Sequence, residues 1–102
     1  MARRVIWTEA ASYDLQEAAA FIRRDSRHYA SAFVREIRDA ANSLAHFAER
    51  GRVVPEFHDS ALRELLISSY RLVYRVTAER VVILAFFHGA RRFPPGHELL
   101  SH

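Results

Sequence analysis

The spacing of apolar residues changes along this chain, and the changes mark its elements. Arg3-Arg4-Val5-Ile6-Trp7 reads as a short strand. From Glu9 to about Arg24, Ala11, Leu15, Ala18, Ala19 and Ile22 recur at helical spacing, with Asp14, Glu17 and Arg24 off that stripe. Thr8 is placed to cap this helix, and Glu9 suits its first turn. Asp25-Ser26 interrupts the pattern. A second helix is predicted from near Arg27 to about Ala48. Ala30, Phe33, Ile37, Ala40, Ala41, Leu44 and Phe47 form its stripe, and Arg35, Glu36, Arg38 and Asp39 its other side. So short a link predicts an antiparallel helix hairpin. Gly51 is expected to end the second helix.

Residues 52–60 read as an extended connection of loop length. Three β-type runs follow, Leu62 to Ile67, Tyr70 to Thr77 and Arg80 onward, separated by Ser68-Ser69 and Ala78-Glu79. This is the pattern of an antiparallel meander. In the middle run Tyr70, Leu72, Tyr74 and Val76 should point one way, and Arg71, Val73, Arg75 and Thr77 the other. The last run is apolar without a break from Val81 to Phe87, as a strand buried on both faces would be. It ends in His88-Gly89-Ala90-Arg91-Arg92. The order β-α-α-β-β-β predicts an α+β fold, with the helix hairpin packed on one face of a small, mainly antiparallel four-stranded sheet. The first strand can join the others at an edge or between two of them. Residues 1–92 are expected to form a single domain, and residues 93–102, with Pro94 and Pro95, a short tail.

Composition narrows the chemistry. A chain of 102 residues, half of them hydrophobic, is one domain with a real core. The absence of cysteine excludes disulfides, thiolate metal sites and a cysteine nucleophile. All fifteen basic residues are arginines, which excludes Schiff-base and P-loop lysine chemistry. Arginine offers planar, bidentate contacts to phosphate and carboxylate; a GC-rich genome would produce the same bias. The net charge of +3 suits an acidic partner, either nucleic acid or acidic peptide. No run approaches the roughly 20 apolar residues of a membrane helix, and the N-terminus turns polar too soon for a secretory signal. A soluble, cytoplasmic protein with no membrane partner is expected. The six histidines form no i, i+4 pair, so neither metal nor cofactor is expected.

Five stretches stand in a telling order: Trp7-Thr8-Glu9-Ala10-Ala11 with Asp14-Leu15; Gly51-Arg52-Val53-Val54-Pro55-Glu56; Arg63-Glu64-Leu65; Tyr70-Arg71-Leu72-Val73-Tyr74-Arg75-Val76; and Ile83-Leu84-Ala85-Phe86-Phe87-His88-Gly89-Ala90-Arg91-Arg92. None is specific alone. Together, from about Val5 to Arg92, the chain resembles the RelE/ParE superfamily of type II toxins. The resemblance implies a small toxin silenced by a cognate antitoxin whose C-terminal segment wraps around it in a toxin–antitoxin hetero-oligomer. RelE-like members cut messenger RNA in the ribosomal A site, whereas ParE-like members poison DNA gyrase. The His88–Arg92 ending and the Gly51–Glu56 connection look more like the ParE arm. The expectation is a ParE-like gyrase inhibitor. A RelE-like ribosome-dependent endoribonuclease and a non-toxic binding module of the same fold are the alternatives.

Each reading nominates residues. RNA cleavage needs a deprotonated 2′-hydroxyl, a stabilised phosphorane and a protonated leaving oxygen. On that reading His88 is the general acid or base, Glu64 an alternative base, and Arg71 and Arg91 the phosphate clamps. No tyrosine follows Tyr74 and no lysine is present, which departs from RNA-cleaving members. For antitoxin or target binding the candidates are Tyr13, Phe21, Phe33, Arg35 and Ile37 on the helices, Arg71 and Arg75 on the sheet, and Arg91 and Arg92 at its end. Structural roles compete with these. His88 can finish a strand, Arg71 and Arg75 can pair with Glu64 across strands, and Arg91 and Arg92 can be a solvated strand end. Tyr70 and Tyr74 can be core, and Trp7 core or an interface anchor.

Overall fold

In the computed structural model, which describes residues 2–89, two hydroxyls start the two helices. Thr8 Oγ1 accepts the Ala11 N–H at 3.1 Å at the head of α1 (Glu9–Arg23). Ser26 Oγ accepts the Tyr29 N–H at 3.1 Å at the head of α2 (Arg27–Ser43). Each satisfies an amide that a helix start leaves without an intrahelical partner. Ala11, Leu15 and Ala19 of α1 and Ala30, Phe33, Ile37 and Ala41 of α2 are buried, as the stripes predict.

The second helix stops at Ser43, short of the expected Ala48. Ser43 Oγ donates to the Ala40 carbonyl at 2.6 Å, and the amides of Leu44, Ala45 and His46 reach back three residues to Ala41, Asn42 and Ser43. Asn42 and Ser43 favour such local bonds over helix continuation. Leu44 and Ala48 are nevertheless buried, whereas Phe47, expected on the stripe, is 66% exposed, because the helical spacing ends with the helix. Gly51 is therefore not a helix cap. A Cβ there would lie 2.5 Å from both the Glu64 carbonyl oxygen and the Tyr74 hydroxyl, so the position demands glycine for close packing.

The sheet has five strands, in the order β1-β5-β4-β3-β2: β1 (Arg4–Trp7), β2 (Arg52–Val53), β3 (Leu62–Ile67), β4 (Tyr70–Val76) and β5 (Arg80–His88). The strand beyond the four expected is β2. Its two residues pair with Glu64 and Arg63 and are too few to show an alternating pattern. The first strand takes an edge, parallel to β5, with Arg4 opposite Arg80 and Trp7 opposite Ile83. The other pairings are antiparallel. The β3–β4 hairpin turns through Ser68, whose φ of 52° is the left-handed value that tight hairpins require.

The helices cover one face of the sheet. Leu65, Leu72, Tyr74, Val81, Ile83 and Phe86 pack there against Leu15, Phe33, Ile37 and Leu44, with Tyr70 and Val76 at the margin. Val54, Leu62, Val73, Val82, Leu84, Ala85 and Phe87 form a second cluster on the back, joined by Phe57. The unbroken apolar run of β5 thus serves two cores. One extra residue sits in it: Val73 faces Ala85 and Tyr74 faces Ile83, so Leu84 has no partner across β4. This bulge lets Leu84 and Ala85 both join the back cluster. No described helix is long and apolar enough to cross a membrane.

Candidate functional site

The back face of the sheet carries Glu64 of β3 and Arg71 and Arg75 of β4. Glu64 and Arg71 are diagonal neighbours there, since Glu64 faces Val73 and Arg71 faces Leu66. Both are buried. Arg71 Nε donates to Glu64 Oε1 at 2.6 Å, and Arg52 Nε donates to Glu64 Oε2 at 2.6 Å. The outer edge of Arg71 forks onto Glu56: Nη1 to Oε2 at 2.8 Å and Nη2 to Oε1 at 2.7 Å. The guanidinium also lies 5.2 Å from the centre of the Phe87 ring. The hydrogen bond to Glu56 raises the Arg71 pKa, and the same bond holds the Glu56 carboxyl below its ordinary value. Arg75 Nη1 donates to Asp59 Oδ2 at 3.1 Å. Asp59 is likewise held low, first by the Ala61 amide and then by Arg75.

Glu64 thus takes Arg71, as expected, whereas Arg75 turns to Asp59. Both arginines are neutralised by carboxylates of the chain itself. Neither an unengaged base at Glu64 nor an open phosphate clamp at Arg71 results. His88 faces away from them. It pairs with Tyr70, and Arg71 pairs with Phe87, so His88 and Arg71 project to opposite faces. Arg91 and Arg92 lie outside the described residues, as does the expected tail 93–102.

The helix side offers a different feature, a groove of about 400 Å³ between α1 and the end of β5. Tyr13, Glu17 and Phe21 line it at four-residue spacing along α1, and Tyr70, Phe86 and His88 line it from the sheet. Tyr13 is 62% and Phe21 65% exposed. The groove exists because β1 is short. It accompanies β5 only to Ile83, so no described strand lies beside the rest of β5 on that side. Asp14 Oδ2 accepts the Phe86 amide at 3.1 Å, joining helix to strand across the groove floor. The His88 ring stands edge-on to Tyr70 at 5.6 Å, and Tyr70 stacks on Phe86 at 4.9 Å.

Two helix candidates belong elsewhere. Phe33 is 8% exposed and packs on Tyr70 and Phe86, with ring centroids 5.3 and 6.0 Å away, and Ile37 is fully buried. They are the inward stripe of α2 and offer no surface to a partner. Arg35 is exposed on α2 and does not line the groove. Sequence reasoning missed Glu56, Asp59 and Arg52 as ion partners, and Asp14 as a bridge. Their only signal was charge of the right sign in segments whose packing was unknown.

A family model described as ParE toxin of type II toxin-antitoxin system, parDE, matches residues 5–93. Among curated proteins, none matches the sequence. Solved structures that share the fold include two from toxin–antitoxin systems. A chain of the chromosomal ParDE toxin–antitoxin system from P. aeruginosa is 20% identical with a TM-score of 0.69, over 84% of this chain and 95% of that one. A chain of the RelBE2 toxin–antitoxin complex from Mycobacterium tuberculosis is 22% identical with a TM-score of 0.58, over 86% and 99%.

Proposed function

This chain belongs to the ParE toxin family of type II toxin–antitoxin systems, and on that premise we propose that it inhibits DNA gyrase and is silenced by a cognate antitoxin. The antitoxin's C-terminal segment is the occupant of the groove between α1 and β5, in a toxin–antitoxin hetero-oligomer. The observation that carries this reading is the pair of exposed aromatics, Tyr13 and Phe21, beside a strand end that β1 leaves uncovered. Large exposed apolar side chains clustered at a groove mark a protein interface. An extended or helical peptide could bury its own apolar residues against them. The same structure weighs against RNA chemistry, because Arg71 and Glu64 are spent on each other and on Glu56 and Arg52.

The test is a supercoiling assay. The purified chain at micromolar concentration should block gyrase, and its antitoxin should relieve the block. Undiminished supercoiling, together with A-site cleavage of messenger RNA on translating ribosomes, would replace this reading with the endoribonuclease one.

A further inference from the structure

We propose that the pocket beside the start of β5 binds a single-stranded DNA segment, with a base stacked on the exposed Phe47 ring and the flanking phosphates on Arg3 and Arg50. This goes beyond the function proposed above. The site lies at the other end of β5 from the groove assigned to the antitoxin, and it does not depend on which enzyme the chain inhibits.

The pocket, of about 580 Å³, is lined by Arg3 ahead of β1 and by His46, Phe47, Ala48, Glu49 and Arg50 in the turns that follow α2. Phe47 is 66% exposed, although Ala48 beside it is buried. Hydrogen bonds hold the backbone that carries the ring. The Phe47 amide donates to the Ser43 carbonyl at 3.1 Å, and the Phe47 carbonyl accepts the Arg50 amide at 3.0 Å. The Ala48 carbonyl accepts the buried Tyr74 hydroxyl at 2.8 Å. The Arg3 amide donates to the Ala45 carbonyl at 2.8 Å and ties the N-terminal segment to the same turns. A large apolar ring held out in water by ordered backbone is a preorganised contact surface.

The two arginines are positioned without being neutralised. Arg3 Nε donates to the Thr77 carbonyl at 2.8 Å, just ahead of β5, and Arg50 Nη1 donates to the Ser43 hydroxyl at 2.7 Å. Both acceptors are uncharged, and neither guanidinium has a carboxylate partner among the described residues. Arg71 and Arg75, by contrast, are oriented by carboxylates. At the same end of the sheet Arg4 and Arg80 are register partners, so like charges stand side by side, which costs stability. Glu49 and Glu79 are the neighbouring carboxylates, and neither forms an ion pair among the described residues. The excess positive charge is left for a polyanion.

The lining selects among polyanions. Phe47 is the one large apolar side chain in it, too little to seat a peptide, which needs several anchors. One aromatic face beside two guanidinium groups is instead the pattern that holds an unpaired base and its phosphates. In a duplex that base face is covered by its neighbours, so the strand must be single. The lining carries no neutral hydroxyl or amide side chain. A ribose 2′-hydroxyl set against Phe47 and Ala48 would lose its water without such a partner, which favours deoxyribose.

Fluorescence anisotropy of labelled oligo-dT with the full chain tests this, alongside oligo-rU, the dT–dA duplex and a poly-glutamate peptide. Phe47→Leu, which keeps an apolar side chain but removes the π-face, should weaken oligo-dT binding about tenfold. Arg3→Gln and Arg50→Gln should each flatten the slope of log affinity against log salt by about 0.7, the share of one phosphate contact on a single strand. Glu49→Gln should tighten binding. Arg27→Gln removes the same charge from an exposed position outside the pocket and should change neither slope nor affinity. Phe47, Glu49 and Arg50 are exposed, so their variants keep the fold. Equal effects of Arg27→Gln and Arg50→Gln would reduce the binding to net charge and overturn the proposal. So would unchanged affinity in Phe47→Leu, weaker binding in Glu49→Gln, tighter binding of oligo-rU, duplex or poly-glutamate, or no binding of oligo-dT at micromolar protein.

Discussion

Arg71 Nε and Glu64 Oε1 lie 2.6 Å apart, with side chains 7% and 0% exposed. A pair so dry is balanced between desolvation and attraction, and losing one member leaves a buried charge. Arg71→Met alone, or Glu64→Leu alone, should each cost about 3–5 kcal/mol. The double variant should be clearly milder than the sum, because neither charge is then orphaned. Urea unfolding of the four proteins measures this cycle. Additive losses would show that the two residues act separately.

The acid range should report the 56–59 segment. Glu56 and Asp59 have folded pKa values below their ordinary 4.5 and 3.8. A lowered carboxyl stabilises the fold above its unfolded value, and that contribution disappears as pH falls through the folded one. The unaltered chain should therefore lose stability below about pH 5, while Glu56→Gln should be weaker at neutral pH and flatter below it. The two denaturation-midpoint curves should converge in acid. Parallel curves would remove Glu56 from the account.

Tyr74 is fully buried, and its hydroxyl accepts the Gly51 amide at 2.9 Å and donates to the Ala48 carbonyl at 2.8 Å. Tyr74→Phe strands both backbone groups and should cost about 1–3 kcal/mol. Burial raises the phenol pKa, so the unaltered chain should also lose stability as pH climbs past the ordinary 10.0, and the phenylalanine variant should lack that share of the decline. Gly51→Ala drives a methyl into the same hydroxyl and into the Glu64 carbonyl, and should cost about 1–3 kcal/mol by overpacking. Thermal melts at several pH values check all three.

The groove and the core should separate cleanly under mutation. Tyr13→Ala and Phe21→Ala remove exposed rings and should change stability by less than about 0.5 kcal/mol, yet weaken antitoxin binding by at least tenfold if these rings are anchors (about 1.4 kcal/mol). Phe33→Ala opens a hole beside Tyr70 and Phe86 and should cost about 3–5 kcal/mol. Calorimetric titration with the antitoxin peptide, paired with unfolding curves, reads both effects. Unchanged binding in the Tyr13 and Phe21 variants would move the antitoxin to another face.

Much of the architecture was legible because its signals are local. The Thr8 hydroxyl before α1, the alternation in β4 and the unbroken apolar run of β5 each follow from neighbours in sequence. What stayed hidden depends on contacts between distant segments. The end of α2 was obscured because Leu44 and Ala48 keep their burial after the helix has stopped. β2 was too short to show a period. Arg71 could be matched to Glu64 because strand pairing brings them together, but Asp59 sits in a connection whose path no pattern gives, so the partner of Arg75 was missed. Phe33 and Ile37, candidates for partner contact, were already marked as core by their place on the α2 stripe, whereas Tyr13 lies off the α1 stripe and is surface.

The unpaired Leu84 has a consequence for the length of the chain. Remove that one residue and β5 returns to strict alternation with nothing after it changing sides: Ala85 already faces Val73 and Phe86 faces Leu72, so Phe86 would stay towards the helices, Phe87 on the back and His88 at the groove. A single-codon deletion there should therefore leave the groove side chains in place and remove only Leu84 from the back cluster.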